Sequence, residues 1–401
     1  MNHAMDKPTV YLNECALLCA LGSERSEIAR RLLHDAASGL ALSSACSPGR
    51  PLPLGRVSAT LPDLSHLPLH QRSRNNALAL AALAQIRPAV KAMIARYGAA
   101  RVGVVIGTST SGVSAAETAL QAELDTGELP EGFHYGQQEM GSCAETLAAE
   151  LGVAGPAYVH SSACSSSAKA LASAARLIRM GLCDAVVTGG VDTLCGFTVA
   201  GFSALESVSS APCNPLSVHR NGINLGEAAA LFLMSREPAT VALCGWGESS
   251  DGHHISAPDP EGGGARMAMR DALRRAGVEA AQIDYINLHG TATIQNDAME
   301  SRAVAALFGL EVAVSSTKPF TGHTLGAAGA VEAAFCWLAM QDDNPAGRLP
   351  PQLWDGARDP ALPALNVAAP GAQLGRPIRY ALSNSFAFGG SNAALVFGRT
   401  A

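Results

Sequence analysis

Residues 155–180, GPAYVHSSACSSSAKALASAARLIRM, contain the pattern on which the fold prediction is based. A short β-prone run follows Gly155 and leads through small residues to Cys164. The next segment, Ser165–Met180, is apolar on nearly all of its faces, which is typical of a helix buried between two sheets. The stretch therefore predicts a strand, a turn that bears a cysteine, and a buried helix.

The same alternation of short β-rich runs and longer Ala- and Leu-rich stretches continues along the chain. The predicted strands are 101–106, 184–188, 284–288, 311–314, 379–382 and 393–397. The predicted helices are 76–97, 165–180, 263–276, 296–308 and 325–340. Strands that alternate with helices favour an α/β fold in which helices cover the sheets. We expect a division near Glu237-Pro238, which gives an N-terminal half, 1–237, and a C-terminal half, 238–401.

The composition excludes several classes of protein. The 401 residues are 48% hydrophobic and 15% charged, which is unlike a disordered chain. A net charge of −6 argues against nucleic-acid binding. The richest apolar stretch, 326–340, is too short to span a membrane and contains Glu332, and the N-terminus lacks the pattern of a signal peptide. The ten scattered cysteines indicate neither a disulfide scaffold nor a metal set, so we expect a reducing, cytoplasmic setting without a bound metal.

Cys164 is the candidate nucleophile. At a helix N-terminus, free backbone N–H groups and the helix dipole favour a thiolate, and the pKa of such a thiol can fall from ~8.5 to ~3.5–7.5. A sharp strand-to-helix turn would present the sulfur at the end of the sheet, where open α/β sheets bind ligands. This context alone leaves open whether Cys164 is catalytic or one more buried cysteine.

Three downstream segments add possible partners for that cysteine. His289 and His323 each follow a predicted strand and precede a loop of small residues, and Lys318 lies five residues before the second histidine. A single histidine is usually structural, but two at matching strand ends favour a shared site. The last segment, 383–392, is a glycine-rich loop with two phenylalanines, Phe386 and Phe388.

Together the four segments resemble the β-ketoacyl-(acyl carrier protein) synthases of the thiolase superfamily. They match, in the family's order, Ala-Cys-Ser at 163–165, His-Gly-Thr-x-Thr at 289–293, Ser-Thr-Lys-x-x-x-Gly-His-x-x-Gly-Ala-Ala-Gly at 316–329 and Asn-Ser-Phe-x-Phe-Gly-Gly-x-Asn at 384–392. Each motif alone is weak, but the ordered set is specific, and the match runs from about residue 8 to the C-terminus. The resemblance implies a five-layered α-β-α-β-α fold with two similar mixed-sheet halves, the first carrying the cysteine and the second the histidines.

The reaction that the resemblance implies is a decarboxylative Claisen condensation. Cys164 would hold the acyl chain as a thioester, and the backbone N–H groups of Cys164 and Phe388 would form its oxyanion hole. His289 and His323 would donate hydrogen bonds to the malonyl thioester oxygen while carbon dioxide leaves. Preorganised donors of this kind act where charge develops.

The resemblance also implies supporting residues. Lys318, paired with Glu332, would help to keep both histidines neutral. The implied substrate contacts are Thr291 and Thr293 for the phosphopantetheine arm, Thr110 and Phe202 for the acyl pocket, and Phe386 and Phe388 in the gating loop. No cofactor beyond the carrier-bound phosphopantetheine of the substrates is expected.

The expected partners are an acyl carrier protein and a second synthase-like chain. Carrier proteins are acidic, so docking requires a basic surface, and Arg72 and Arg74 lie in the region that the family uses. An ordinary solvated helix flank explains the two arginines equally well. The resemblance implies a dimer through the strand at 184–188, formed either with an identical copy or with a chain-length-factor-like paralogue.

Departures from the family's pattern point to a specialised pathway. Ile294 replaces the proline after His-Gly-Thr-x-Thr, Ile223 ends a motif that is usually Arg-Asp-Gly-Phe, and Ala387 replaces a gating-loop glycine, which could stiffen the loop. With Thr110 and the stretch 108–112, these residues look more like the ketosynthases of aryl-polyene pathways. Housekeeping fatty-acid elongation stays open as an alternative.

Four other activities fit the residues less well. A thiolase would need a second catalytic cysteine in a late Cys-x-Gly, and a chain-initiating ketosynthase would use Cys-His-Asn. A non-catalytic chain-length factor would normally lack the nucleophile, whereas Cys164 is present. A cysteine hydrolase would need access for water, which the residues do not decide.

Overall fold

The protein, in a computed structural model, is described over residues 8–400. The strands are β1 (Tyr11–Leu18), β2 (Ala41–Ser43), β3 (Leu52–Leu54), β4 (Val102–Gly107), β5 (Ala157–His160), β6 (Ala185–Asp192), β7 (Ala228–Ser235), β8 (Val241–Ser250), β9 (Tyr285–Asn287), β10 (Ala313–Ser315), β11 (Asn366–Val367), β12 (Tyr380–Ala387) and β13 (Ser391–Arg399). The helices are α1 (Arg25–Arg30), α2 (Arg74–Tyr97), α3 (Val113–Thr126), α4 (Ser142–Leu151), α5 (Ser166–Arg179), α6 (Gly196–Ala204), α7 (Gly263–Ala276), α8 (Ile294–Phe308), α9 (Lys318–Thr321) and α10 (Ala328–Ala339).

Two five-stranded units with the same topology make up most of the sheet structure. In the first, the order is β1-β7-β6-β4-β5, and in the second it is β8-β13-β12-β9-β10, which β11 extends. Each unit has two antiparallel pairings followed by two parallel ones. The units join where Tyr11 of β1 pairs with Ala242 of β8. The expected α/β fold with two similar mixed-sheet halves is confirmed.

Two buried helices separate the two units. Helix α5 packs on β6 and β4, α10 packs on β12 and β7, and the two helices contact each other. Helices α2 and α4 cover the outer side of the first unit, while α7 and α8 cover the second. Every residue of α10 is buried, as its nearly continuous apolar sequence requires. This arrangement is the expected five-layered one, and it brings the starts of α5 and α10 together.

The prediction that the strand at 184–188 forms the dimer contact is wrong. Strand β6, which contains the predicted segment 184–188, pairs with β4 on one side and with β7 on the other. Both of its edges are therefore occupied, and it cannot pair with another chain. Within residues 8–400, the outer edge of β5 has no strand beside it.

One described helix, α2, is long and apolar enough to cross a membrane by length and composition alone. It packs on β7, β1 and α4, and it buries Leu78, Leu83, Ile86 and Val90 in the outer cluster of the first unit. In the part of the chain that the structure describes, α2 is therefore a core helix.

Candidate active site

Cys164 lies in the tight connection between β5 and α5. The strand ends at His160 and the helix begins at Ser166, with Ala163 at a left-handed φ of 49° immediately before the cysteine. Such a conformation is strained for a residue with a Cβ, and it turns the chain sharply from the strand into the helix. Cys164 is 5% exposed. The strand, turn and buried helix expected from residues 155–180 are all present.

The sulfur of Cys164 lies 3.0 Å from Nε2 of His323. Burial raises the pKa of the Cys164 thiol to about 12, although the Lys318 ammonium and the Phe388 backbone N–H lower it. The expectation that the helix N-terminus produces a low thiol pKa is therefore corrected, because desolvation outweighs the helix dipole at this buried position. The resting thiol is neutral and donates its hydrogen bond to His323.

The reaction of Cys164 with iodoacetamide tests this protonation state. Because only the thiolate reacts, we expect the alkylation rate of Cys164 to rise about tenfold per pH unit between about pH 7 and 9. Peptide mapping by mass spectrometry would give the rate at this site. A rate that levels off below about pH 8 would show a low-pKa thiolate and contradict the neutral thiol.

The two histidines meet at nearly right angles beside the sulfur. His289 follows β9, His323 follows α9, and their ring centroids lie 5.2 Å apart at an interplanar angle of 82°. Burial and the charge of Lys318 hold the pKa of both imidazoles well below the usual value of 6.5. Both rings are therefore neutral at physiological pH, as the resemblance implied.

Lys318 determines which nitrogen of His289 carries the proton. Its ammonium lies 3.4 Å from Nδ1 of His289 and also bonds to the His289 carbonyl and to Glu332. An ammonium has no acceptor, so Nδ1 accepts and the ring proton resides on Nε2. Burial raises the pKa of Glu332 to about 7, while Lys318 lowers it. His289 thus presents an N–H donor on the side of the ring opposite Lys318.

Two positioning residues of His289 were not predicted. Glu300 of α8 accepts the backbone N–H groups of His289 at 2.8 Å and Gly290 at 2.7 Å, and Asn384 of β12 bonds to the same carboxylate. Burial raises the pKa of Glu300 to about 7. The sequence does hold one indication of this role. Glu300 is an acidic residue on the apolar face of the predicted helix that follows the His289 loop.

A cavity of about 240 Å³ opens onto these groups. Its lining includes Cys164, His289 and His323, together with the predicted substrate contacts Thr291, Thr293, Phe202, Phe386 and Phe388. The hydroxyls of Thr291 and Thr293 bond to each other at 2.9 Å, and the ring of Phe202 lies 5.5 Å from that of Phe388. A buried thiol, neutral imidazoles and a hydroxyl pair therefore share one space.

Comparisons with known proteins identify the family. The family model described as "Beta-ketoacyl synthase, N-terminal domain" matches residues 69–239. The model described as "Beta-ketoacyl synthase, C-terminal domain" matches residues 240–353. The chain is a β-ketoacyl-(acyl carrier protein) synthase. The family, the thiolase-like fold and the acyltransferase class expected from the motifs are confirmed.

Individual relatives of the synthase support this identification. Nodulation protein E of Rhizobium meliloti is 35% identical over 311 residues, which cover 75% of this chain and 76% of that protein. The 3-oxoacyl-[acyl-carrier-protein] synthase 2 of Rhizobium meliloti (strain 1021) is 39% identical over 264 residues, 61% of each chain. The ketosynthase ApeO, solved in complex with its chain length factor ApeC from Xenorhabdus doucetiae, has a TM-score of 0.90 and 43% identity over the whole of both chains.

Thr110 of the synthase does not line this cavity. Its hydroxyl bonds to the carboxylate of Asp192 at 2.9 Å, and the residue is 2% exposed. Asp192, at the end of β6, also accepts N–H groups from Ser109, Thr110 and Gly326. The structure does not show the predicted contact between Thr110 and the acyl pocket, because the Thr110 hydroxyl is bonded to Asp192.

The gating loop of the synthase is tied to the loop after β8. Gly389 donates its N–H to the Ile255 carbonyl at 2.7 Å, and Asp251 donates its N–H to the Gly390 carbonyl at 2.9 Å. Gly389 has a φ of 81°, whereas Ala387 has a φ of −110°. The left-handed position therefore carries a glycine, and Ala387 adopts ordinary extended backbone, so the expected stiffening by alanine has no basis in this conformation.

Cys164, His289 and His323 have ligand atoms within 4.8 Å of one another, a spacing that a metal ion could use. The positive charge next to these residues does not fit such an ion. The Lys318 ammonium at Nδ1 of His289 repels a metal cation and directs the ring proton to Nε2, the nitrogen that would have to bind the metal. The donor set suits proton transfer and hydrogen bonding instead.

The two predicted docking arginines of the synthase differ in their contacts. Arg74 forms an ion pair with Glu227, a carboxylate that is 1% exposed. Arg74 therefore has a structural role, because its removal would leave a buried charge unpaired, and its part in carrier docking stays a prediction. Arg72 is exposed and donates to the carbonyls of Leu67 at 2.8 Å and Ser65 at 2.7 Å.

Proposed function

We propose that the synthase extends an acyl chain held on Cys164 by two carbons from malonyl-(acyl carrier protein). The observation that carries this proposal is the 3.0 Å contact between a neutral buried thiol and a neutral imidazole, beside a second imidazole that offers an N–H. Residues 1–237 would supply the nucleophile, and residues 238–401 both histidines and the gating loop.

In the first step, the chain moves from its carrier to Cys164. The thiol passes its proton to Nε2 of His323 while the sulfur attacks the thioester carbonyl. The negative charge on the carbonyl oxygen is stabilised by the backbone N–H groups of Cys164 and Phe388. The carrier thiolate then leaves and takes the proton back from His323, so the imidazole is neutral again.

In the second step, malonyl carrier protein enters the same cavity, and Thr291 and Thr293 bind its phosphopantetheine arm. The carboxylate leaves as carbon dioxide, and its electron pair forms an enolate. The enolate oxygen accepts hydrogen bonds from His289 Nε2 and from His323 Nε2. The second bond requires the single ring proton of His323 to shift from Nδ1 to Nε2, which the acylated sulfur no longer occupies as a donor. The enolate carbon attacks the Cys164 thioester and releases the cysteine thiolate, which takes up one proton from solvent.

Supporting roles follow from the same contacts. Lys318, held by Glu332, would keep the histidines neutral, and Phe202, Phe386 and Phe388 would border the acyl chain. The reaction requires no metal or further cofactor, since the thiol, imidazoles and backbone supply every proton and charge contact.

The proposed pathway is type II biosynthesis of an aryl polyene or a related polyketide or fatty acid, in the cytoplasm. Ile223, Ala387 and the stretch 108–112 favour this pathway over housekeeping elongation. The expected partners are acyl carrier protein, for which Arg72 remains a candidate contact, and a chain-length-factor-like chain. The similarity to ApeO, solved with its chain length factor, supports the second partner.

The test is acylation of the synthase by a panel of carrier-bound acyl groups, followed by peptide mapping of the mass gain. We expect modification at Cys164 and faster loading of aryl-polyenoyl groups than of long saturated ones. Modification of another residue would overturn the mechanism. A clear preference for long saturated chains would refute the pathway and favour housekeeping elongation.

A further inference from the structure

A chain of hydrogen bonds connects Lys169 to the turn that carries the nucleophile. The ammonium of Lys169, on α5, donates to the hydroxyl of Ser391 at 2.6 Å. The Ser391 hydroxyl lies 2.9 Å from that of Ser165, which in turn donates to the carbonyl of Ser162 at 2.8 Å. An ammonium has no acceptor, and Ser165 uses its single proton on Ser162, so Ser391 must accept from Lys169 and donate to Ser165. The bonds therefore run in one direction, from Lys169 to Ser162.

The far end of this chain holds the turn around the reacting sulfur. Ser162 and Ser165 flank Cys164 and the left-handed Ala163, and the Ser165 side chain is fully buried. Ser166 supports the same turn, since its hydroxyl accepts from the N–H of Ser162 at 2.9 Å and donates to the Ala163 carbonyl at 2.6 Å. A strained turn persists only where the surrounding bonds over-determine it. The chain is therefore part of what keeps the sulfur and its own backbone N–H in place.

The middle of the chain, Ser391, holds the gating loop on the other side of the sulfur. Ser391 is the first residue of β13 and pairs with the last residue of β12, so these two residues enclose the turn that carries Phe388. Burial raises the pKa of the Cys164 thiol, and the N–H of Phe388 opposes this effect as a donor to the sulfur. Gly389 and Gly390, with φ of 81° and 73°, give the turn little stiffness of its own. The position of the Phe388 N–H therefore depends on how Ser391 is held.

We propose that Lys169 is a positioning residue for acyl transfer, which acts through Ser391 to hold the N–H groups of Cys164 and Phe388 where both can bind one carbonyl oxygen. Two donors stabilise a developing oxyanion only if both reach it, and such a geometry must be held within about 0.5 Å. The two N–H groups come from different units of the sheet, so they need a link between the units. The inference rests on the proposed function and adds a residue to its first step.

The charge of Lys169 makes this link stronger than a neutral donor would. Hydrogen bonds from a charged donor are roughly twice as strong as neutral ones, and successive bonds in a chain strengthen one another. Lys169 is partly buried, so water competes less for its ammonium than it would at an exposed position. Without the ammonium, the Ser391 hydroxyl loses the bond that directs its proton toward Ser165, and the link between the two segments weakens.

The variant Lys169→Met tests the proposal, because it removes the ammonium and keeps a long, flexible side chain. In single-turnover acylation of Cys164 by a carrier-bound acyl group, we expect the maximal rate to fall about tenfold, because the oxyanion loses part of its stabilisation. The half-saturating carrier concentration should change less than about twofold. Alkylation of Cys164 by iodoacetamide forms no oxyanion, so its rate should change less than about threefold. The two rates together separate a displaced oxyanion hole from a disturbed thiol.

Further variants show whether Lys169 acts through Ser391. Ser391→Ala should give a similar loss of acylation, and the double variant should lose no more than either single one, because both changes break the same chain. Lys169→Arg and Ser391→Thr retain the cationic donor and the hydroxyl, so each should recover most of the rate. The matched control is Lys91→Met, which removes an exposed ammonium from the outer helix α2 and should leave both rates unchanged.

Three results would overturn the proposal: an unchanged acylation rate in Lys169→Met, equal losses of acylation and alkylation, or losses that add up in the double variant. If Lys169→Met fails to fold, Ser391→Ala carries the same prediction with a smaller change. Acylation of the wild type tests the proposed function separately. A wild type that is not acylated at Cys164 contradicts that function, whereas a wild type and a Lys169→Met variant that are acylated equally fast contradict the role of Lys169 alone.

Discussion

Replacing Cys164 with alanine is expected to lower carrier-dependent condensation by at least ~10⁴-fold, because no other described group can hold the acyl chain beside His323. The cavity lining contains one thiol, and its sulfur is the atom that contacts the imidazole. Intact-mass measurement after incubation with acyl carrier protein should show no covalent acyl adduct. The thermal midpoint should change little, since a methyl group replaces a small side chain.

The matched control for this substitution is Cys143→Ala. Cys143 is buried, as Cys164 is, and burial raises the pKa of its thiol to about 12 as well, but it has no histidine partner among the described residues. Its replacement should leave acyl loading and condensation unchanged. A persistent adduct in Cys164→Ala would show that the histidine contact does not identify the nucleophile.

Replacing His289 with alanine should separate the two half-reactions. We expect malonyl decarboxylation to fall about 10²–10³-fold, the usual effect of removing one preorganised donor from an oxyanion. Acyl transfer to Cys164 should change less than about fivefold, because the thiol proton goes to His323 rather than to His289. Release of labelled carbon dioxide and the burst of acyl-enzyme measure the two steps.

His219→Ala is the control, since His219 is exposed and bonds to Asp355 away from the cavity. It should leave both steps unchanged. His289→Gln, which retains an N–H donor, should recover part of the decarboxylation. Equal losses of acyl transfer and decarboxylation in His289→Ala would show that the two imidazoles do not have distinct roles.

The motif residues could be predicted because each combines a reactive side chain with a strand end or helix start. Cys164, His289 and His323 are distinctive in the sequence and line one cavity. Cys164 follows β5, His323 follows the equivalent strand β10 by way of α9, and His289 follows the neighbouring strand β9. Glu300 and Asp192 could not be assigned in the same way. Their function depends on backbone N–H groups from distant loops, and no local pattern shows which donors a buried carboxylate will meet.

Errors arose where the outcome depends on burial or on which neighbour an element has. The thiol pKa was expected from the start of α5, but the degree of desolvation at Cys164 depends on packing from both halves. The segment 184–188 looked suitable for a dimer contact, yet the order of strands in the sheet places β6 inside. Arg74 looked like a solvated cation because Glu227 is distant in sequence.

The repeated topology also determines where the chemistry takes place. Helices α5 and α10 occupy equivalent positions in the two units, so the loops before them, which carry Cys164 and His323, are counterparts. The reacting sulfur and nitrogen therefore come one from each repeat and meet at the contact between the repeats. Neither repeat alone contains a complete proton-transfer pair. A small rotation of one repeat against the other would change the 3.0 Å distance between the Cys164 sulfur and Nε2 of His323. The proton transfer therefore depends on how the two repeats are packed against each other.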